Sequence, residues 1–282
     1  MGYFIRVLDN FHFADPAEEY DVGNFVCYND ALEHAKKYVR EDIIGMWVHG
    51  QDINSLFSYY TTFGADPIII SEEPSQREWG FSAWDYAEAL VEDLKNYLIE
   101  GTDIQTIYQT AILFAGDRHA MKNQTLPDSH IPYVVHLSNV CMEILVADRH
   151  TENFNLKLAV QTALLHDVLE DTETTTLELE ECFGGLVTYS VQALTKDKDL
   201  SKEKRMEDSL RRIKECPKEV WAVKLADRIT NMQKPPNSWG PDKISQYHGE
   251  AKLILSELRE GNQYLANRLE KKIKDYSRYC CT

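Results

Sequence analysis

Apolar and polar positions alternate from Tyr3 to Leu8, and a period of two predicts a β-strand there. Asn24 to Tyr28 reads as a second strand, and Asp66-Pro-Ile-Ile-Ile-Ser as a third, buried one. Between them the period lengthens. Asp30 is placed to cap an amphipathic helix from Ala31 to about Asp42, a short helix runs within Gln51–Phe63 up to Gly64, and Ser82 is placed to cap another that begins at Ala83. The mixture predicts a small α+β domain over residues 1–93. Its aromatics, Tyr59, Tyr60, Phe63, Phe81, Trp84 and Tyr86, are expected in its core, because a domain below about a hundred residues needs large apolar groups to bury enough area.

From about Asp93 the strand signals fade and helical periodicity takes over. Candidate helices cover 103–121, 132–148, 155–171, 176–183, 185–195, 201–214, 217–232, 241–260 and 262–279, punctuated by Pro127, Gly184, Pro217, Pro235, Pro236, Pro241 and Gly261. An all-α domain over 94–282 follows.

Charge is unevenly spread. Residues 1–100 carry 19 Asp and Glu against 6 Lys and Arg, whereas the whole chain has a net charge of −16. So acidic a first third repels a nucleic-acid backbone; it could face a basic protein partner, but such a surface more often simply keeps a protein soluble. No apolar run reaches the roughly 18 residues of a membrane span. The cysteines (27, 141, 182, 216, 280 and 281) include no Cys-x-x-Cys, so neither a structural zinc site nor a disulfide framework is expected, and reduced thiols in a cytoplasm fit best.

Chemistry concentrates in Ala163-Leu-Leu-His-Asp-Val-Leu-Glu-Asp-Thr172. Read as one helix, this stretch sets His166, Asp167, Glu170 and Asp171 on neighbouring faces beside the apolar Ala163, Leu164, Leu165, Val168 and Leu169. Burying four such groups without a partner is costly, and a divalent cation, whose usual ligands are imidazole and carboxylate, compensates. Two further segments can complete a site. His136 stands early in a helix whose apolar face includes Val140, Ile144 and Leu145. Asp227 and Asn231 lie four apart on one helix face, with Asp227 among Val223, Leu225, Ala226 and Ile229; an acid so close to a core wants a cation or an arginine.

Pro132-Tyr-Val-Val-His136, Leu165-His-Asp-Val-Leu-Glu-Asp-Thr172 and Val223-Lys-Leu-Ala-Asp-Arg-Ile-Thr-Asn-Met232 together resemble the HD superfamily of metal-dependent phosphohydrolases. Within it, the chain is similar to the (p)ppGpp hydrolase domain of RelA/SpoT-type proteins and stand-alone small alarmone hydrolases. The resemblance covers roughly residues 100–235, with Phe183-Gly184 and Leu194-Thr195-Lys196 also in register. It implies an HD-domain helical bundle after the α+β domain. It further implies one metal ion, usually manganese, held by His136, His166, Asp167 and Asp227. Glu170 and Asp171 would position or deprotonate its water, Asn231 would contact the nucleotide, and water would attack the 3′-pyrophosphate.

There are two departures, the first a harmless one at a helix start and the second bearing on selectivity. Leu137 stands where the family has proline, and Lys122-Asn-Gln-Thr-Leu-Pro-Asp-Ser-His130 replaces a glycine-rich lead with its arginine. Lys122 can offer a point charge but not the planar stacking of a guanidinium, which leaves ppApp or a phosphorylated dinucleotide open as the substrate. His119 and His130, flanking this segment, read as surface histidines. Lys196, Lys198, Lys202, Lys204, Arg205, Arg211 and Arg212 could draw in a polyanion; Lys196 and Arg205 are the substrate candidates among them, and a solvated helix face explains the run equally well. A binding module, such as an antitoxin using the acidic domain, is the alternative to an enzyme, but it has no need of four ligands and two further acids.

Overall fold

The computed structural model describes residues 2–12, 17–48, 50–72, 80–99 and 103–280, with backbone alone at 96–99, 202 and 203. Cys281 and the Lys202 side chain lie outside the described residues. Two compact units form: Met1–Gly101 with Thr176–Tyr189, and Thr102–Thr175 with Ser190–Thr282.

In the first unit an antiparallel sheet has the order β2-β1-β3, with β1 at Tyr3–Asp9, β2 at Tyr20–Phe25 and β3 at Ala65–Ser71. The alternation read in β1 is the burial pattern: Tyr3, Ile5 and Val7 face inward. The second strand starts earlier than the sequence predicts. Its register against β1 slips between Tyr3 and Ile5, and Gly23 in β2 takes φ +70°, a bulge conformation that a side chain disfavours. Helix α1 (Tyr28–Val48) begins two residues before Asp30 and runs past Asp42. Ala31, Ala35, Val39 and Ile43 recur at intervals of four on its buried face. Helix α2 (Leu56–Phe63) and helix α3 (Ala83–Ile99) complete the α+β arrangement, with Ser82 Oγ accepting from the Asp85 N–H, as a cap should. Of the aromatics expected in the core, Tyr60 is fully buried, but Tyr59, Phe63 and Trp84 are exposed.

Helix α8 (Thr176–Leu194) is kinked at Gly184, where φ is +78°, so the glycine break between the two predicted stretches is kept. Its residues Thr176–Tyr189 belong to the first unit, and there it meets a buried cation. Arg40, which interrupts the apolar face of α1, is wholly buried; its Nη1 donates to Glu180 Oε2 at 2.9 Å and to the Tyr86 hydroxyl at 3.1 Å. The Tyr86 hydroxyl in turn donates to Glu180 Oε1.

The second unit is helical: α4 (Ile104–Met121), α5 (Val134–Asp148), α6 (Leu156–Leu165), α7 (Val168–Asp171), α9 (Lys202–Lys214), α10 (Lys218–Asn231), α11 (Pro241–Leu258) and α12 (Gln263–Tyr276). Asp103, Asn155 and Asn262 cap α4, α6 and α12 through their side chains. Helix α6 is buried on every side from Leu158 to Leu165, which makes it the centre that α4, α5 and α10 surround. No described helix is long and apolar enough to cross a membrane.

Candidate metal centre

The stretch around His166 is not the single helix that its spacing predicts. Helix α6 ends at Leu165 and α7 starts at Val168, leaving His166 and Asp167 in the break. The break has a use. His166 Nδ1 donates to the Ala163 carbonyl at 2.8 Å, which fixes a proton there and turns Nε2 outward, toward the carboxylates. A continuous helix would have committed that carbonyl to a backbone N–H.

His136 arrives from the first turn of α5 and Asp227 from the buried face of α10. Asp227 Oδ1 is 3.4 Å from His136 Nε2 and 3.8 Å from His166 Nε2. Asp167 Oδ2 is 2.9 Å from His166 Nε2 and 4.0 Å from His136 Nε2. Ligands about 2.1 Å from one ion stand about 3 Å apart at right angles and about 4.2 Å apart across it, so these separations fit a shared cation. The buried Nε2 atoms of both histidines have no hydrogen-bond partner, although both rings are almost fully enclosed. Two orphaned ring nitrogens aimed at two carboxylates are what a divalent cation would satisfy. His136, His166 and Asp227 offer ligand atoms that all lie within 4.8 Å of one another.

Groups around the cluster orient it. The Thr230 hydroxyl donates to the Asp227 carbonyl at 2.8 Å, so toward His136 Nδ1, at 3.4 Å, it can only accept, which orients the ring with Nε2 toward the carboxylates. The Tyr133 hydroxyl donates to Asp167 Oδ2. Burial pushes the Tyr133 phenol up and Asp167 pushes it further, so it stays a donor. Asn231 donates to Asp227 Oδ1 at 2.5 Å, and Lys224 Nζ reaches Oδ2 at 3.3 Å. Burial opposes ionisation of Asp227, but Lys224 and the two histidines outweigh it and hold the carboxyl well below its usual range. The counter-charge within the chain is thus a lysine; Arg228 turns away to Glu250 and the Tyr247 ring. Burial pulls His166 down, and Asp167 and Asp227 reverse this, bringing the ring to about 9.

The two further acids are held individually. Glu170 accepts from the Lys196 backbone N–H at 3.2 Å and from Lys196 Nζ at 3.1 Å, while Lys198 Nζ binds the Glu170 carbonyl. Asp171 accepts from Gln124 Nε2 at 2.8 Å; burial pushes its carboxyl up, with Asp167 and Glu170 adding to the rise and Gln124 easing it. Asn231 therefore meets the cluster through Asp227. The remaining substrate candidates are committed elsewhere: Lys122 pairs with Glu173, and Arg205 braces the carbonyls of Leu200 and Lys198. Much of the basic run is used likewise, Arg212 binding the carbonyls of Gln192, Ala193 and Thr195.

His130 is exposed, as expected, but His119 is not: it is 1% accessible, with its ring 4.8 Å from that of Tyr133 and Nδ1 2.6 Å from Gln124 Oε1. It ends a buried stripe of Ala111 and Ala115 at spacing four, a signal present in the sequence and outweighed there by the neighbouring polar segment. Tyr133, Lys224 and Thr230, ordinary residues within the motifs, and Gln124, in the segment that replaces the glycine-rich lead, carried no signal of their own; only the fold aims them.

A family model described as HD domain matches residues 111–262. The zebrafish (Danio rerio) guanosine-3′,5′-bis(diphosphate) 3′-pyrophosphohydrolase MESH1 is 30% identical over 161 residues, 56% of this chain and 87% of that protein. Its human (Homo sapiens) counterpart has the same identity and coverage. The bacterial guanosine-3′,5′-bis(diphosphate) 3′-pyrophosphohydrolase of Aquifex aeolicus is 30% identical over 51% of this chain and 20% of its own length. A solved structure described as a metazoan ortholog of SpoT that hydrolyses ppGpp aligns with a TM-score of 0.54 and 26% identity, covering 62% of this chain and 98% of that one.

Proposed function

Since this chain belongs to the HD-domain family, we propose that it is a phosphohydrolase that removes the 3′-pyrophosphate from (p)ppGpp-like nucleotides in the cytoplasm. One manganese ion would be held by His136, His166, Asp167 and Asp227. The observation that carries this reading is the pair of buried, unpartnered Nε2 atoms converging on two carboxylates. The names of the relatives supply the substrate class. A bound divalent cation would supply positive charge where the phosphoryl group gains negative charge, and would make water a stronger acid.

The chain's own residues do the rest. Asp171, its carboxyl raised by burial and its Oδ2 held by Gln124, takes the proton of the attacking water. Glu170, fixed by Lys196, orients that water from one helical turn beyond Asp167. Asn231 steadies Asp227 through its amide N–H and has its exposed side toward an arriving nucleotide. Lys122 and Arg205 reach the substrate only by leaving their present partners.

Purified protein incubated with manganese and ppGpp should release pyrophosphate and GDP. No release, with ppApp or a phosphorylated dinucleotide cleaved instead under the same conditions, would move the reading to another nucleotide; no cleavage of any of them would end it.

Two further outcomes are expected. Tyr133→Phe removes the donor to Asp167 Oδ2, and loss of such a supporting contact weakens ion binding by about 10–100-fold; equilibrium dialysis measures it. The second concerns protons. In the ion-free protein His166 holds its proton up to about 9, above its unfolded value. Its contribution to stability is therefore complete below the unfolded value of about 6.5 and is lost as pH rises through about 9. An ion binding at pH 7 must displace that proton. Titration with manganese should release about one proton at pH 7 and almost none at about pH 10, as read by calorimetry in buffers of different ionisation enthalpy.

A further inference from the structure

A cleft of about 340 Å³ lies where the segment after α10 meets the end of α12. Its walls carry Lys234, Arg268, Lys271, Lys272 and Arg278 against a single carboxylate, Asp275. Most of the chain's net charge of −16 lies in residues 1–100, so the helical unit is close to neutral, and this gathering of cations around one carboxylate is a local excess of positive charge. We propose that the cleft is a second anion site, separate from the metal centre, that takes the polyphosphate chain of a nucleotide.

Helix-end electrostatics offer a blander account: cations near the C-terminus of α12 are favourable to its dipole. That covers Arg278 and part of the Lys271–Lys272 pair. It does not cover Lys234, which comes from a different segment, or Arg268, which stands in the second turn of α12. Two of the cations are also set in advance. Arg268 is clamped by Glu143 through Nε at 2.5 Å and Nη2 at 2.6 Å, which fixes its plane and leaves Nη1 to donate elsewhere. Lys234 precedes Pro235 and Pro236, which confine its backbone to extended conformations. Among the described residues, Lys234, Lys271 and Lys272 have no carboxylate within ion-pair distance.

Size and chemistry select the ligand. The volume is at the lower end of small-molecule sites, too confined for a folded acidic partner and ample for two or three linked phosphates. Tyr279, whose ring meets that of Tyr276 edge-on, stands at the wall where an attached base would lie. The site does not depend on the hydrolytic reading, because none of its residues belongs to the metal cluster.

The test is calorimetric titration of the full chain, freed of metal by chelation and dialysis, with inorganic tripolyphosphate and with GTP. Both should bind at one site, and the affinity should fall at least about tenfold between about 50 and about 300 mM salt. The variant Lys234→Ala/Lys271→Ala/Lys272→Ala should lose at least about tenfold in affinity, with hydrolysis unchanged. A control of equal charge change at exposed positions, Lys37→Ala/Lys204→Ala/Lys252→Ala, should bind as the unaltered chain does. Absence of binding, equal loss in the control, or a cleft that proves by sedimentation to be filled by a second copy of the chain would overturn the proposal. Failure of ppGpp hydrolysis alone would leave it standing.

Discussion

If Asp227 holds the proposed ion, Asp227→Asn should lower pyrophosphate release by about 10³-fold or more, because several kcal/mol of transition-state stabilisation would depend on that ion. The residue is the meeting point of the site: its Oδ1 faces both histidine nitrogens, and Asn231 and Lys224 bind its two oxygens. The amide keeps the shape and removes the charge, and it can present an N–H toward atoms that need an acceptor. Lys224 then loses its counter-ion in a buried place, so the variant should also be less stable. Metal content and turnover measured on the same preparation separate the two effects. Folded protein with full metal content and undiminished turnover would remove Asp227 from the site.

The largest effect on stability is expected in the first unit. Arg40→Met leaves the Glu180 carboxylate, only 12% exposed, with Tyr86 and the more distant Lys36 Nζ, at 3.5 Å, and with no guanidinium between it and Glu33. Breaking one side of a buried ion pair costs about 3–5 kcal/mol, whereas exchanging both partners for well-packed apolar groups is often neutral. Arg40→Met should therefore destabilise strongly, and Arg40→Met/Glu180→Leu should recover much of the loss. Denaturant unfolding followed by far-ultraviolet circular dichroism measures both. A single variant within about 0.5 kcal/mol of the unaltered chain would show that this pair contributes little.

Legibility in the sequence followed the strength of the local signal. Tyr3–Leu8 alternates, the helices at Ala83, Ile104, Leu156 and Gln263 start behind capping side chains, and the sheet-then-helix architecture follows from them. Arg40 was invisible because an arginine on an apolar helix face reads as a boundary residue until its partners, 46 and 140 residues away, are known. The candidate ligands were legible as motif residues. The break between Leu165 and Val168 was not, since nothing local disfavours helix there; the packing of α6 and the use of the Ala163 carbonyl by His166 decide it. The basic run from Lys196 to Arg212 has the composition of a substrate funnel, yet most of its described cations are spent on carbonyls at the end of α8 and on neighbouring acids. His119 shows the reverse error: a polar loop at its side hid an apolar stripe behind it.

The break between α6 and α7 also governs how the helical unit comes apart. Donor atoms at residues 136, 166–167 and 227 belong to stretches about 30 and about 60 residues apart along the chain. A single occupant would therefore staple α5, α6 and α10 together. Heat should undo that staple and the central layer in one step when the ion is present. With a chelator the melting temperature should drop, by an amount set by ion concentration over dissociation constant.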